Sequence, residues 1–190
     1  MKPDHYADII LRSDAGVTIP VIAAQVMRVL HTCFQARPDT YALAFPEMKF
    51  GEDPKLGRVL RLFAGSQSEV EHALDQVEND DRLKPFALIG RIRQVPADYD
   101  GGWVTYQRYR IPARRGKSPT HQEKRLRLRA KKLDEARLLP YLILKSTSTQ
   151  QTFSLIIEQQ KHVLALSRDG TPDVYGLSRK EAPVFLPTLG

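Results

Sequence analysis

Short apolar runs and helix-spaced apolar stripes alternate along the first half of the chain. Residues 6–12 are apolar and short enough for a strand. Thr18 then offers an N-cap with Pro20 in the first turn, where a missing N–H costs little. From there to Gln35 the pattern predicts a helix with Ile22, Val26, Val29, Leu30 and Cys33 on one side. Residues 41–45, ended by Pro46, and 58–64 read as two further strands, and residues 49–55, with Gly51 and Pro54, as the loop between them. Ser66 and Glu69 form an S-x-x-E capping box, and Val70, Ala73, Leu74 and Val77 follow at helical spacing. Residues 86–95 close the set as a strand with Phe86, Leu88 and Ile92 on one face. The order is β-α-β-β-α-β in about 90 residues, the ferredoxin-like pattern of an α+β chain. That fold hosts many functions and proves none.

The second half has a different texture. Residues 96–102 contain Pro96, Asp98, Asp100 and two glycines, and mark a boundary between residues 1–97 and 98–190. A strand is expected over 103–110, with Arg108 and Arg110 on the same face. A basic helix over 122–132 follows, then Pro140. Residues 141–148 and 152–158 read as a β-hairpin. Ser146 and Ser148 share a face of its first strand, and Phe153, Leu155 and Ile157 share a face of its second. Residues 162–166 are expected to form another strand before the turn at Asp169-Gly170. The tail, with Pro183 and Pro187, is expected to be irregular.

Charge changes this picture most. Residues 101–132 hold eleven Lys or Arg against the single acid Glu123, a local charge of +10. The whole chain carries +7, so the remainder sums to −3. Such a concentrated patch is the electrostatic footprint of a nucleic-acid partner. An ordinary surface helix mixes signs to relieve repulsion, and this one does not. On a helix, Arg125, Arg129 and Lys132 fall within about 40° of one another. Leu126, Ala130 and Leu133 then make a neighbouring apolar stripe expected to seat the helix on the body.

The remaining composition narrows the chemistry. With 42% hydrophobic and 27% charged residues the chain reads as a globular protein. Its first residues lack an apolar signal segment, and no run nears the roughly 20 apolar residues of a membrane span, so a cytoplasmic protein is expected. Cys33 is the lone cysteine, which leaves no disulfide framework. There is no H-x-H pair, H-E-x-x-H or cysteine pair for a metal, and no Walker A loop or G-x-G-x-x-G. No cofactor or metal is expected.

Histidine is what remains for acid–base work. Measured from Ile22, His31 lies at roughly 180° around the first helix, away from the apolar stripe and beside Arg28 and Gln35. RNA carries its own nucleophile. A base that takes the 2′-OH proton lets that oxygen attack the adjacent phosphorus in line, with no metal required. Histidine titrates in the range this task needs.

Several short stretches, in order over essentially the whole chain, make the resemblance specific. They are Met27-Arg28-Val29-Leu30-His31, Ala44-Phe45-Pro46, the arginine-rich helix, Lys145-Ser146-Thr147-Ser148-Thr149 leading to Phe153, and Tyr175-Gly176-Leu177-Ser178. The chain resembles the CRISPR-associated endoribonucleases of subtype I-F that process precursor CRISPR RNA. The resemblance implies a ferredoxin-like half and an RNA-binding half whose arginine-rich helix enters the major groove of the repeat hairpin. It implies metal-independent cutting at the 3′ base of the stem, leaving a 2′,3′-cyclic phosphate and a 5′-hydroxyl. It also implies retention of the product within an effector complex of other type I-F subunits. By position, His31 matches the family's general base, Ser146 the serine that constrains the nucleotide at the cut, and Tyr175 the tyrosine that orients the histidine. Phe153 matches the aromatic that stacks beside the stem base. Arg108, Arg110, Arg114, Arg115, Arg125, Arg127, Arg129, Lys132 and Ser148 are the further residues expected to bind RNA.

One departure stands out. Where the family commonly carries an R-x-Q pair that reads bases of the lower stem, this chain has Arg108-Tyr109-Arg110. Arginine in place of glutamine favours guanine, its bidentate partner in the groove. A non-catalytic RNA-hairpin-binding module stays open beside the enzyme, as does a DNA-binding or ribosome-associated protein with an incidental histidine.

Overall fold

The computed structural model describes residues 1–14, 16–113, 122–146, 149–165 and 169–189. The first half builds the expected β-α-β-β-α-β order. It runs β1 His5–Leu11, α1 Ile19–Ala36, β2 Tyr41–Ala44, β3 Val59–Ala64, α2 Gln67–Glu78 and β4 Ala87–Ile89, with a short β5 Arg93–Gln94. The sheet order is β2-β3-β1-β4, with β5 also on β1, and every pairing is antiparallel. Alternation along β1 buries Ala7, Ile9 and Leu11 under the helices. The buried stripe of α1 is Ile22, Ala23, Val26, Met27, Leu30, Cys33 and Phe34, and that of α2 is Val70, Ala73, Leu74 and Val77.

The capping box of α2 is formed in both directions: Glu69 N–H donates to Ser66 Oγ (3.3 Å) and Ser66 N–H donates to the Glu69 carboxylate (3.0 Å). Thr18 occupies the N-cap of α1 but makes no side-chain cap bond. The strand expected over 86–95 is broken. Gly90 N–H donates to Asp8 O (2.8 Å), and a Cβ on Gly90 would stand 3.1 Å from that oxygen. Register puts Leu88 opposite Ile10 on the outer side, so Leu88 is exposed while Ala87 and Ile89 turn inward. Phe86 and Ile92 pack against the core, so of the three residues expected to share a face Leu88 alone turns outward.

The second sheet has the order β7-β8-β6-β9, from β6 Trp103–Arg108, β7 Tyr141–Lys145, β8 Thr152–His162 and β9 Leu186–Pro187. The helix α3, Gln122–Ala136, lies between β6 and β7 in the chain. The hairpin is present, but β8 runs on to His162 to pair with β6. The strand expected over 162–166 is therefore replaced by the end of β8, and Val163 and Leu164 stand exposed after it. The tail is more ordered than expected: it supplies β9 and bridges Ser178 to Gln107 and Pro172.

The two sheets share one apolar core. Leu142 and Leu144 on the inner face of β7 join the α1 residues in it. Polar ties back this up: Tyr106 donates its hydroxyl to Phe45 O (3.1 Å), and Leu43 N–H donates to Gly176 O (2.8 Å). Arg61, 6% exposed, donates to both carboxylate oxygens of Asp8 (2.6 and 3.0 Å) and to Leu189 O (2.5 Å). Among the described residues no helix is long and apolar enough to cross a membrane.

Candidate active site

Position on α1 sets where His31 points. One face of the helix is consumed by the core, and the opposite face presents Arg28, His31 and Gln35 to a cavity of about 370 Å³. From the other side Lys145 and Ser146, at the end of β7, line the same cavity, together with Val174 and Tyr175 from the tail. The structure thus brings His31, Ser146 and Tyr175 around one space, although 115 and 144 positions separate the latter two from the histidine.

His31 Nδ1 lies 2.7 Å from Val174 O. A carbonyl oxygen can only accept, so Nδ1 carries the proton and Nε2 of the neutral ring keeps its lone pair. Tyr175 stacks on the imidazole, with ring centroids 4.3 Å apart and planes 6° from parallel. One bond and one stacked face together fix the ring's tautomer and tilt.

The loop that supplies both contacts is itself pinned. Asp173 Oδ1 accepts from the backbone N–H groups of Tyr175 (2.8 Å) and Leu177 (3.0 Å), an Asx turn. Gly176 has φ +73°, and a Cβ there would lie 2.9 Å from the Phe34 ring and 3.2 Å from Leu43 N. Only glycine fits so close an approach with positive φ. Burial raises the Asp173 carboxyl above its ordinary range, against the lowering pull of the two N–H bonds and of Arg108 and Arg179. Burial likewise raises the Tyr175 hydroxyl, with Arg108 opposing it.

The aromatic chain extends outward. Phe153 meets Tyr175 edge-on (6.2 Å, 65°), and the Arg108 guanidinium lies 5.4 Å from the Phe153 ring centroid. Arg108 ends β6, and Arg110 lies beyond the strand, exposed. Both line a second cavity of about 670 Å³ with Tyr109, Leu133 and Arg137. Arg114, Arg115 and Ser148 fall outside the described residues.

The basic helix is seated differently from expectation. Leu126, Leu128 and Leu133 are exposed, and α3 has no buried residue. Its inward side is Arg125, Arg129 and Lys132. Arg125 Nε donates to Ala113 O (2.9 Å) and Arg129 donates to Pro112 O. The Lys132 ammonium stands 4.2 Å over the Tyr109 ring and 3.7 Å from Glu135, which accepts from the Tyr109 hydroxyl. Past the end of β6, arginine side chains thus satisfy the backbone carbonyls of Pro112 and Ala113. Arg127 points away, and among the described residues it pairs with Glu123 on an exposed face (2.6 Å).

Residues that sequence reasoning missed are Asp173, Val174 and Lys145. The D-x-Y-G-L spacing was a legible turn signal; the partner of its carbonyl was not. Among the described residues no three His, Cys, Asp or Glu side chains converge as metal ligands would.

Comparison with known proteins gives the geometry its context. None of the curated proteins searched matches the chain. Among solved structures, the CRISPR endoribonuclease Cse3 bound to 19 nt RNA is similar at 12% identity and a TM-score of 0.35, covering 98% of this chain and 100% of that one. The sequence profile of the CRISPR-associated protein family Cas_Csy4 matches residues 6–186. By that match over nearly its whole length, the chain belongs to the Cas_Csy4 family, that of the type I-F CRISPR endoribonuclease.

Proposed function

We propose that this protein is a metal-independent endoribonuclease that binds the stem-loop of a CRISPR repeat and cuts precursor CRISPR RNA at the 3′ base of the stem. The observation that carries the reading is the Nδ1–H bond from His31 to Val174 O, which leaves Nε2 as a free base on a side chain lining a shared cavity with Ser146. His31 Nε2 takes the proton of the 2′-OH at the cut. The 2′-oxygen bonds to phosphorus as the bond from phosphorus to the 5′-oxygen breaks, and that oxygen leaves with a proton from water. The products are a 2′,3′-cyclic phosphate and a 5′-hydroxyl. Ser146 holds the ribose, Tyr175 keeps the imidazole in plane, and Phe153 stacks against the stem base.

In this reading residues 1–97 carry the base and residues 98–190 grip the RNA. Arg108 and Arg110 read the lower stem, Ser148 contacts RNA beside the cut, Arg114, Arg115 and Arg127 engage phosphates, and Arg125, Arg129 and Lys132 add to the positive field that binds RNA while they seat α3 on the segment past β6. Binding is accordingly steeply salt-dependent. The product stays bound, and the protein serves in the cytoplasm as a subunit of a type I-F effector complex.

The test is incubation of labelled repeat hairpin RNA in excess EDTA with wild type and His31→Ala. A single cut at the 3′ stem base bearing a cyclic phosphate is expected. The mutant should cut about 10²–10⁴-fold more slowly with affinity retained. Tight binding without a cut by either protein would leave an RNA-holding module, and a cut abolished by EDTA would mean metal chemistry.

A further inference from the structure

We infer that Arg28 and Lys145 form a two-cation clamp on the scissile phosphate, an inference that rests on the endoribonuclease reading. Both line the cavity that holds His31, and among the described residues no carboxylate lines it. Arg28 precedes His31 by one turn of α1, so the two side chains share a face. Lys145 approaches from the end of β7, and the packing of Leu142 and Leu144 on α1 fixes the two walls relative to each other.

Neither cation has an ion-pair partner among the described residues. The nearby Asp80 feels the charge of Arg28 but is held by Arg82, whose guanidinium takes both of its carboxylate oxygens. An arginine and a lysine set on separate elements around one histidine, neither ion-paired among the described residues and with the nearby Asp80 engaged by Arg82, make a positive pocket rather than a solvated face.

The chemistry of in-line transesterification calls for such a pocket. A phosphodiester carries one negative charge, and attack by the 2′-oxygen adds a second to the non-bridging oxygens of the phosphorane. Preorganised donors aimed at that developing charge stabilise the transition state more than the ground state. The planar fork of Arg28 can span both non-bridging oxygens, and the ammonium of Lys145 acts as a point charge from the opposite wall. His31 then needs only to take the proton.

Single-turnover cleavage with protein in excess, measured beside the Kd of a hairpin carrying a 2′-deoxy sugar at the cut, separates chemistry from grip. Arg28→Gln and Lys145→Gln should each lower the saturating rate about 10²–10³-fold, with melting temperature unchanged and Kd shifted only slightly. Arg28→Lys should recover part of the loss. Sulfur in place of a non-bridging oxygen should slow wild type more than it slows Arg28→Gln, a signature that a structural role would not produce. If wild type cuts, His31→Ala does not, and the double Gln variant reaches the wild-type rate at saturation, the clamp is wrong and the enzyme stands. A weakened Kd with an unchanged saturating rate makes the two cations grip residues and overturns the clamp as well. Absence of any cut by wild type takes both readings down together.

Discussion

His31 is held by residues that are remote in the chain and tightly constrained themselves. Gly176 is the tightest of them. Gly176→Ala would force a side chain into a left-handed backbone and against Phe34 and Leu43, and should cost on the order of 1–3 kcal/mol. A lowered denaturation midpoint together with slower cleavage is the expected result. Asp173 separates hydrogen bonding from charge. Because burial raises its folded pKa, the native state holds the proton more tightly than the unfolded chain. That contribution is fully present below the unfolded range and is lost as pH rises through the raised folded value. Asp173→Asn keeps an acceptor for both N–H groups without the charge, so at neutral pH it should melt no lower than wild type, with a flatter acid-side profile. Asp173→Ala leaves the N–H groups unpaired and should cost about 1–3 kcal/mol. At this scale the sequence was partly legible. Helical spacing alone placed His31 opposite the apolar stripe, because 3.6 residues per turn is a local rule. The carbonyl of Val174 has no local signature at all, since backbone atoms of every residue are alike and only tertiary packing selects one.

At the scale of elements, α3 shows how a correctly expected helix can sit on an unexpected face. Its leucines suggested an apolar seat, yet the helix lies over the polar segment past β6, whose carbonyls recruit Arg125 and Arg129. Leu126→Lys should therefore change stability by no more than about 0.5 kcal/mol. Arg129→Ala gives up the bond to Pro112 O and should destabilise the docked helix by about 1 kcal/mol in thermal melts. Arg127→Ala should leave stability unchanged and, in the RNA-binding reading, reduce the salt slope of binding by about one. Equal stability losses for Arg127 and Arg129 would contradict this seating. The same limit explains the 86–95 region. Apolar content signalled a strand, but the break at Gly90 depends on the closeness of Asp8 across the sheet, which no spacing rule encodes.

At the scale of the molecule, the ferredoxin-like order was legible because each of its elements carries its own period, cap or turn signal. The tail was not, because its order comes from what it touches. Residues 169–189 tie both sheets together, and Arg61 anchors them through Asp8 and Leu189 O. Asp8→Ala would leave the Arg61 guanidinium buried without its counter-charge and should cost about 3–5 kcal/mol in chemical denaturation. The bond from His31 to Val174 spans 143 positions. On the ribosome, then, the histidine emerges long before the carbonyl that orients it. If the endoribonuclease reading holds, a nascent chain with the whole of α1 and the basic helix attracts RNA but has no aligned base with which to cut it. In that reading, synthesis order keeps the base unaligned until residues 169–189 fold back onto α1.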